Sequence, residues 1–76
     1  MTANKSTARR FVLERSEDVS GTSGTGIVAE GTEYSNGYCT VVWLSPLMII
    51  EVAANLKVYM EVHGHGGKTK VVWIDP

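Results

Sequence analysis

Several kinds of residue are scarce in this sequence, and each scarcity excludes something. There is one cysteine, Cys39, so no disulfide can form within the chain, and its place in the apolar run CTVVWL favours a buried thiol and a reducing compartment. No apolar run approaches the roughly 20 residues of a membrane-spanning helix. The basic N-terminal stretch has no apolar segment after it, so we expect no signal peptide. These observations predict a cytoplasmic protein without a membrane partner.

The sequence also has no large excess of positive or negative charge, since its net charge is −1. Lys5, Arg9 and Arg10 lie in the first ten residues, which hold no acid, and the rest of the chain carries eight acids against four bases. This balance argues against a domain that binds polyanions. The alternative that stays open is a small nucleic-acid-binding or regulatory protein that uses this basic arm with Lys68 and Lys70.

The sequence does contain a series of short strand patterns. RFVLER alternates, with Phe11 and Leu13 on one face, and GIVAEGTEYS, YCTVVWLS, LMIIEV and KTKVVWID follow it. Asn36-Gly37 predicts a type I′ hairpin between the second and third strands, since that turn needs positive φ at both central residues. Gly31, in the middle of the second strand, predicts a bulge or a sharp bend.

One short helix is predicted between the last two strands. Leu56 and Tyr59 fall on one helical face, Asn55 is a suitable N-cap, and Gly64 stands where a left-handed C-cap belongs. The spacing therefore predicts a helix over Leu56–His63.

Five short strands with one brief helix before the last predict a mainly β fold. Our first expectation is a small five-stranded SH3-like barrel, because a bent sheet that closes on itself leaves no exposed edge. The alternative is an open α+β sheet with one covering helix. We expect a flexible N-terminal arm over residues 1–8 and a single domain over residues 9–76.

Two glycine-rich runs, SGTSGTG and HGHGG, raise the question of a ligand. The first lacks the lysine of a phosphate-binding loop and precedes a strand, and the second offers only two imidazoles. We expect both runs to shape the fold, with no catalytic, cofactor-binding or metal-binding residue, no cofactor and no enzymatic activity. If either run forms a working surface, the candidate loop residues are Asp18, Ser20, Ser23, Thr25, His63 and His65.

The most informative feature is an excess of apolar residues. If Cys39, Val41 and Trp43 face the interior, then Val42 and Leu44 face outwards, and one small core cannot bury both faces. We therefore expect an apolar outer face that is buried by a second copy, as in a homodimer, or by a partner protein. The alternative is that the helix covers this face. The candidate interface residues are Val42, Leu44, Leu47, Met48 and Ile50.

Four blocks of the chain match a pattern, F-x-L-x-R, D-x-S-G-x-S-G-T-G-x-V-A-E-G, W-L and H-G-H-G-G-x-T. In these blocks the chain resembles a group of small proteins from actinobacteria and their phages. The resemblance implies kinship and a phage or mobile-element origin, and it implies no activity. The residues that carry it are Phe11, Leu13, Arg15, Asp18, Ser20, Gly21, Ser23 to Gly26, Val28 to Gly31, Trp43, Leu44, His63 to Gly67 and Thr69.

Overall fold

The predicted strands and helix all form, in the predicted order. The computed structural model of the chain describes residues 7–17, 24–46 and 49–76. Leu47 and Met48, which open the predicted fourth strand, lie outside the described residues. The elements are β1 (Arg9–Arg15), β2 (Gly26–Glu33), β3 (Cys39–Trp43), β4 (Ile50–Ala53), α1 (Leu56–His63), a 3₁₀ turn (His65–Gly67) and β5 (Thr69–Trp73).

The strands form one antiparallel sheet in the order β4-β3-β2-β1-β5. The fold is mainly β, with one short helix. β4 and β5 are the two edges of this sheet, so the closed SH3-like barrel is not confirmed, and the arrangement is that of an open sheet with one covering helix. The helix accounts for the open sheet. It connects the two edge strands and packs across one face of the sheet. In a closed barrel, strand side chains would fill that space.

The core lies between α1 and one face of the sheet. Phe11 and Leu13 of β1, Val41 of β3 and Leu56 and Tyr59 of α1 are buried together there. The prediction that Cys39, Val41 and Trp43 share the inner face is confirmed. The possibility that α1 covers the Val42 face is wrong, because the helix packs on the opposite side of the sheet.

Gly31 is needed for close packing, and the bulge predicted there lies elsewhere. A Cβ at Gly31 would overlap the Phe11 ring and would lie 2.7 Å from the carbonyl oxygen of Thr40.

The bulge between β1 and β2 is a shift in strand register at Leu13/Glu14, opposite Val28. The extra residue lets Val28 and Ala29 both be buried, which strict alternation would forbid.

Two turns differ from prediction in their local geometry. The hairpin predicted at Asn36-Gly37 is confirmed. Of these two residues only Gly37 has a positive φ, and its N–H donates to the carbonyl oxygen of Tyr34. This is the geometry of a type I turn followed by a left-handed glycine. Asn55 caps α1 through a hydrogen bond from the Val58 N–H, as predicted. Gly64 is right-handed, with φ −77°, so the left-handed C-cap predicted there is wrong.

Candidate functional site

The candidate site is the face of the sheet that α1 does not cover, here called the open face. Strand register places alternate residues of every strand on this face, and one row of them crosses the whole sheet. Four of the five side chains in the row are β-branched and apolar, and the carboxylate in the middle is exposed. In order across the sheet the row is Val72, Val12, Glu30, Val42 and Ile50.

Apolar side chains on the open face are most exposed at β4. Val42 and Val72 are 40% and 41% exposed, whereas Ile50 and Val52 are 69% and 72% exposed. Leu44 and Ile74 are also about half exposed. A large apolar surface left in water near one edge of a small sheet is typical of a contact surface.

The structure brings three of the five predicted interface residues together, Val42, Leu44 and Ile50, and all three are exposed. Leu47 and Met48 lie outside the described residues. Sequence reasoning missed Val52, because the residues after Ile50 also fit a helical spacing. The alternation Ile50, Glu51, Val52 was the signal that could have found it.

The open face also carries polar side chains from every strand except β4, and some of them are bonded to one another. Arg10 forms two side-chain hydrogen bonds with Asp75, and the hydroxyl of Tyr34 lies 3.1 Å from that of Thr40. Within the described part of the chain, no ion pair reaches the carboxylate of Glu30. A shallow groove of about 290 Å³ runs past Arg10, Glu30 and Thr40. Such a surface suits contact with another apolar protein surface more than capture of a small ligand.

A second cluster lies on the covered side, between α1 and the sheet. The indole Nε1 of Trp43 donates to the Glu51 carboxylate at 2.7 Å and to the Tyr59 hydroxyl at 2.9 Å, and that hydroxyl donates to Glu51 at 2.6 Å. His63 stacks on the Tyr59 ring, with ring centroids 4.2 Å apart, and its Nε2 lies 3.9 Å from Glu51. Sequence reasoning named only His63 of these four as a candidate.

This cluster, called the Tyr59 cluster below, holds α1 to the sheet. The hydrogen bond from Tyr59 lowers the pKa of Glu51, against the effect of burial. Burial and the hydrogen bond to Glu51 raise the pKa of Tyr59 far above its usual value. Glu51 is therefore ionised and Tyr59 neutral at neutral pH, and the hydroxyl donates to a charged acceptor. Charge-assisted hydrogen bonds of this kind are the strong ones.

The predicted loop residues give no coherent site in the described structure. Asp18, Ser20 and Ser23 lie outside the described residues, and Thr25 is exposed. His63 belongs to the Tyr59 cluster, whereas His65 is part of the following 3₁₀ turn. In residues 7–17, 24–46 and 49–76 no three His, Cys, Asp or Glu side chains are grouped as a metal site would need.

The run HGHGG has a structural explanation. Gly66 and Gly67 have φ of 66° and 95°, which is backbone that glycine adopts with little strain, and His65 before them has a positive φ of 49°. Gly64 is buried, and a Cβ there would lie 2.5 Å from the carbonyl oxygen of Met60. The carbonyl oxygen of Gly64 accepts from the Gly67 and Thr69 N–H groups, so the run turns the chain from α1 into β5.

Three of the six described lysine and arginine side chains are paired with acids. Arg9 pairs with Glu33, Arg10 with Asp75 and Lys68 with Glu17, at 3.2, 2.9 and 3.4 Å. In the β1–β5 register Lys70 stands directly opposite Glu14. Lys5 lies outside the described residues.

A family model matches nearly the whole length of the sequence. The model of the Acb5 phage protein matches residues 8–75, from the residue before β1 to the segment after β5. The chain belongs to the Acb5 phage protein family. Membership confirms the phage association that the sequence pattern implied.

No curated protein and no solved structure matches this member of the Acb5 phage protein family. In the part of the chain that the structure describes, no helix is long and apolar enough to cross a membrane.

Proposed function

We propose that this member of the Acb5 phage protein family is a non-catalytic, cytoplasmic interaction protein that self-associates through its open face. The observation that carries the proposal is the row of four β-branched side chains and one carboxylate opposite α1, in which Val42, Ile50 and Val72 are exposed. The only helix of the described chain packs on the other side, so it does not cover this row. Burial of an apolar face against a second copy removes it from water, which is the dominant favourable term in association.

Self-association also answers a problem of size. A chain of 76 residues can bury only about 60% of the surface that its unfolded form exposes, so its own core is small. Here that core occupies one side of the sheet. A second copy on the apolar surface adds buried area without adding chain length, and anything that binds only the folded state stabilises it.

The alternative function, nucleic-acid binding through the basic arm with Lys68 and Lys70, has less support. Lys68 pairs with Glu17, and Lys70 stands opposite Glu14. Lys68 therefore gains less from a phosphate than an unpaired lysine would. Binding to phosphates would weaken log-linearly as salt rises, whereas an apolar interface responds little to salt.

Light scattering at two salt concentrations, over a range from micromolar to millimolar protein, tests the proposal. We expect a dimer whose stability changes little with salt. Ile50→Lys, which places a charge on the open face, should shift the protein to monomer. Thr25→Lys adds the same charge on an exposed loop residue and should leave the dimer intact. A wild-type monomer throughout this range would overturn the proposal.

A further inference from the structure

We propose that the second copy docks edge to edge on β4, so that two sheets join into one through antiparallel pairing of the two β4 strands. This inference rests on the proposed self-association and narrows its contact surface to the β4 end of the open face, where Ile50 and Val52 lie, so that Val72 at the other edge stays outside the junction. The observations that carry it concern backbone groups at the edge of the sheet, and side chains on both sides of that edge.

The outer edge of β4 presents backbone groups for pairing. The Trp43 N–H donates to the carbonyl oxygen of Ile49, which makes these two a hydrogen-bonded pair. Along an antiparallel strand the backbone N–H and C=O groups of successive residues point alternately to one neighbouring strand and to the other. Those of Glu51 therefore point toward β3, and those of Ile50 and Val52 point away from it. In the described part of the chain no strand pairs with this edge. An exposed apolar edge strand is a template for pairing with another chain.

The opposite edge, β5, is protected in ways that β4 is not. The backbone N–H of Thr69 is already bonded to the carbonyl oxygen of Gly64. Lys70 is exposed on this strand, and the guanidinium of Arg9 lies 3.7 Å above the ring of Trp73. Lysines are a common means of keeping edge strands from pairing. β4 has no lysine or proline, and its one acid is engaged within the Tyr59 cluster. Pairing through β4 is therefore the favoured choice.

Apolar side chains lie on both sides of the β4 edge, as an edge-to-edge interface needs. Ile50 and Val52 project from the open face and are its most exposed large apolar side chains. On the other side, a groove of about 350 Å³ runs between β4 and α1, past Ala53, Val58 and Val62. Val58 and Val62, one helical turn apart, are both more than half exposed. A second copy paired through β4 brings apolar surface to both sides of the new junction.

Charge selects the register of this pairing. A two-fold axis at Glu51 would set the two Glu51 residues directly opposite each other, which is unfavourable for like charges. An axis at Val52 instead pairs Val52 with the partner's Val52, sets Glu51 opposite the partner's Ala53, and sets Ile50 opposite the partner's Ala54. This register joins the outward backbone groups of Val52 in both strands through two main-chain hydrogen bonds, and Ile50 adds further bonds where the chain at the partner's Ala54, just past the end of β4, continues extended.

Two lysine variants test edge pairing. Val52 and Val72 are the same residue type on the same open face, one on each edge strand. Val52→Lys sets two lysines opposite each other at the junction and should weaken the dimer about tenfold or more in light scattering. Val72→Lys should leave the dimer unchanged. Circular dichroism of each variant confirms that the monomer is folded.

A cysteine pair tests the register. In the Val52-centred register the two Val52 Cα atoms lie about 5.5 Å apart, within the range that a disulfide bridges. Val52→Cys should therefore form an intermolecular disulfide on mild oxidation, and Val72→Cys should not. The native Cys39 is buried and should not compete.

The outcomes separate the two proposals. A dimer that Val72→Lys weakens as much as Val52→Lys would mean that the open faces stack, which overturns edge pairing and leaves self-association standing. A dimer that Val52→Lys does not weaken, or that Val52→Cys does not cross-link, also overturns this inference alone. A wild-type monomer overturns self-association and the edge inference with it.

Discussion

The hydroxyl of Tyr59 should stabilise the fold more than any other single polar group on α1. Tyr59→Phe removes one oxygen, which donates to Glu51 at 2.6 Å and accepts from Trp43 at 2.9 Å, and keeps the buried ring. A hydrogen bond to a charged group contributes about 1.5–3 kcal/mol. The side chain of Glu51 is 35% exposed, so water can replace part of the lost donor, and we expect a loss at the lower end, about 1.5 kcal/mol.

The pH dependence of this loss gives a second test. The hydrogen bond from Tyr59 lowers the pKa of Glu51 in the folded protein, so its stabilising effect is complete above the unfolded value of about 4.3 and is lost as the pH falls through the lower folded value. The difference between wild type and Tyr59→Phe should therefore be largest near neutral pH and should shrink toward about pH 3.

Urea unfolding of both proteins at the two pH values measures the effect. Tyr38→Phe is the matched control, because Tyr38 is half exposed and its hydroxyl has no hydrogen-bond partner among the described residues; it should change the free energy of unfolding by less than about 0.5 kcal/mol. The reasoning would be refuted if Tyr59→Phe cost no more than this control, or if its cost were the same at both pH values.

Two further variants test the fold, beside the association experiments given above. Gly31→Ala should destabilise the protein by about 2 kcal/mol or more in urea unfolding, because its Cβ would overlap the Phe11 ring, and a cost below about 0.5 kcal/mol would contradict this packing. Asn55→Ala should cost about 1 kcal/mol by removing the side-chain cap of α1, whereas Asn55→Ser should keep most of the stability; equal losses for the two would argue against capping.

The order and type of the elements could be predicted because their signals are local. Alternation placed Phe11 and Leu13 on the inner face of β1, and the helix begins and ends where Asn55 and Gly64 indicated. These features depend on side chains only a few residues apart in the chain. The spacing of residues that share a face is two in a strand and about 3.6 in a helix, so the two patterns can be told apart. The outward orientation of Val42 followed from the same alternation.

Local turn geometry was less predictable, because several backbone solutions satisfy the same residues. Asn36-Gly37 joins two strands either through two left-handed residues or through a type I turn with one left-handed glycine, and the structure takes the second. Gly31 fits a bulge as well as a close approach of an aromatic ring. The deciding neighbour is Phe11, twenty residues away in sequence, and no pattern within β2 identifies it.

The sequence by itself determined that this chain forms five strands and a helix with more apolar surface than one core can bury. Only the tertiary structure decided which face α1 covers, that β4 and β5 remain edges, and that Trp43, Glu51, Tyr59 and His63 meet. The physical reason is that strand and helix patterns arise between neighbours in the chain. The pairing of edges and the side on which a helix packs depend instead on contacts between residues far apart in sequence.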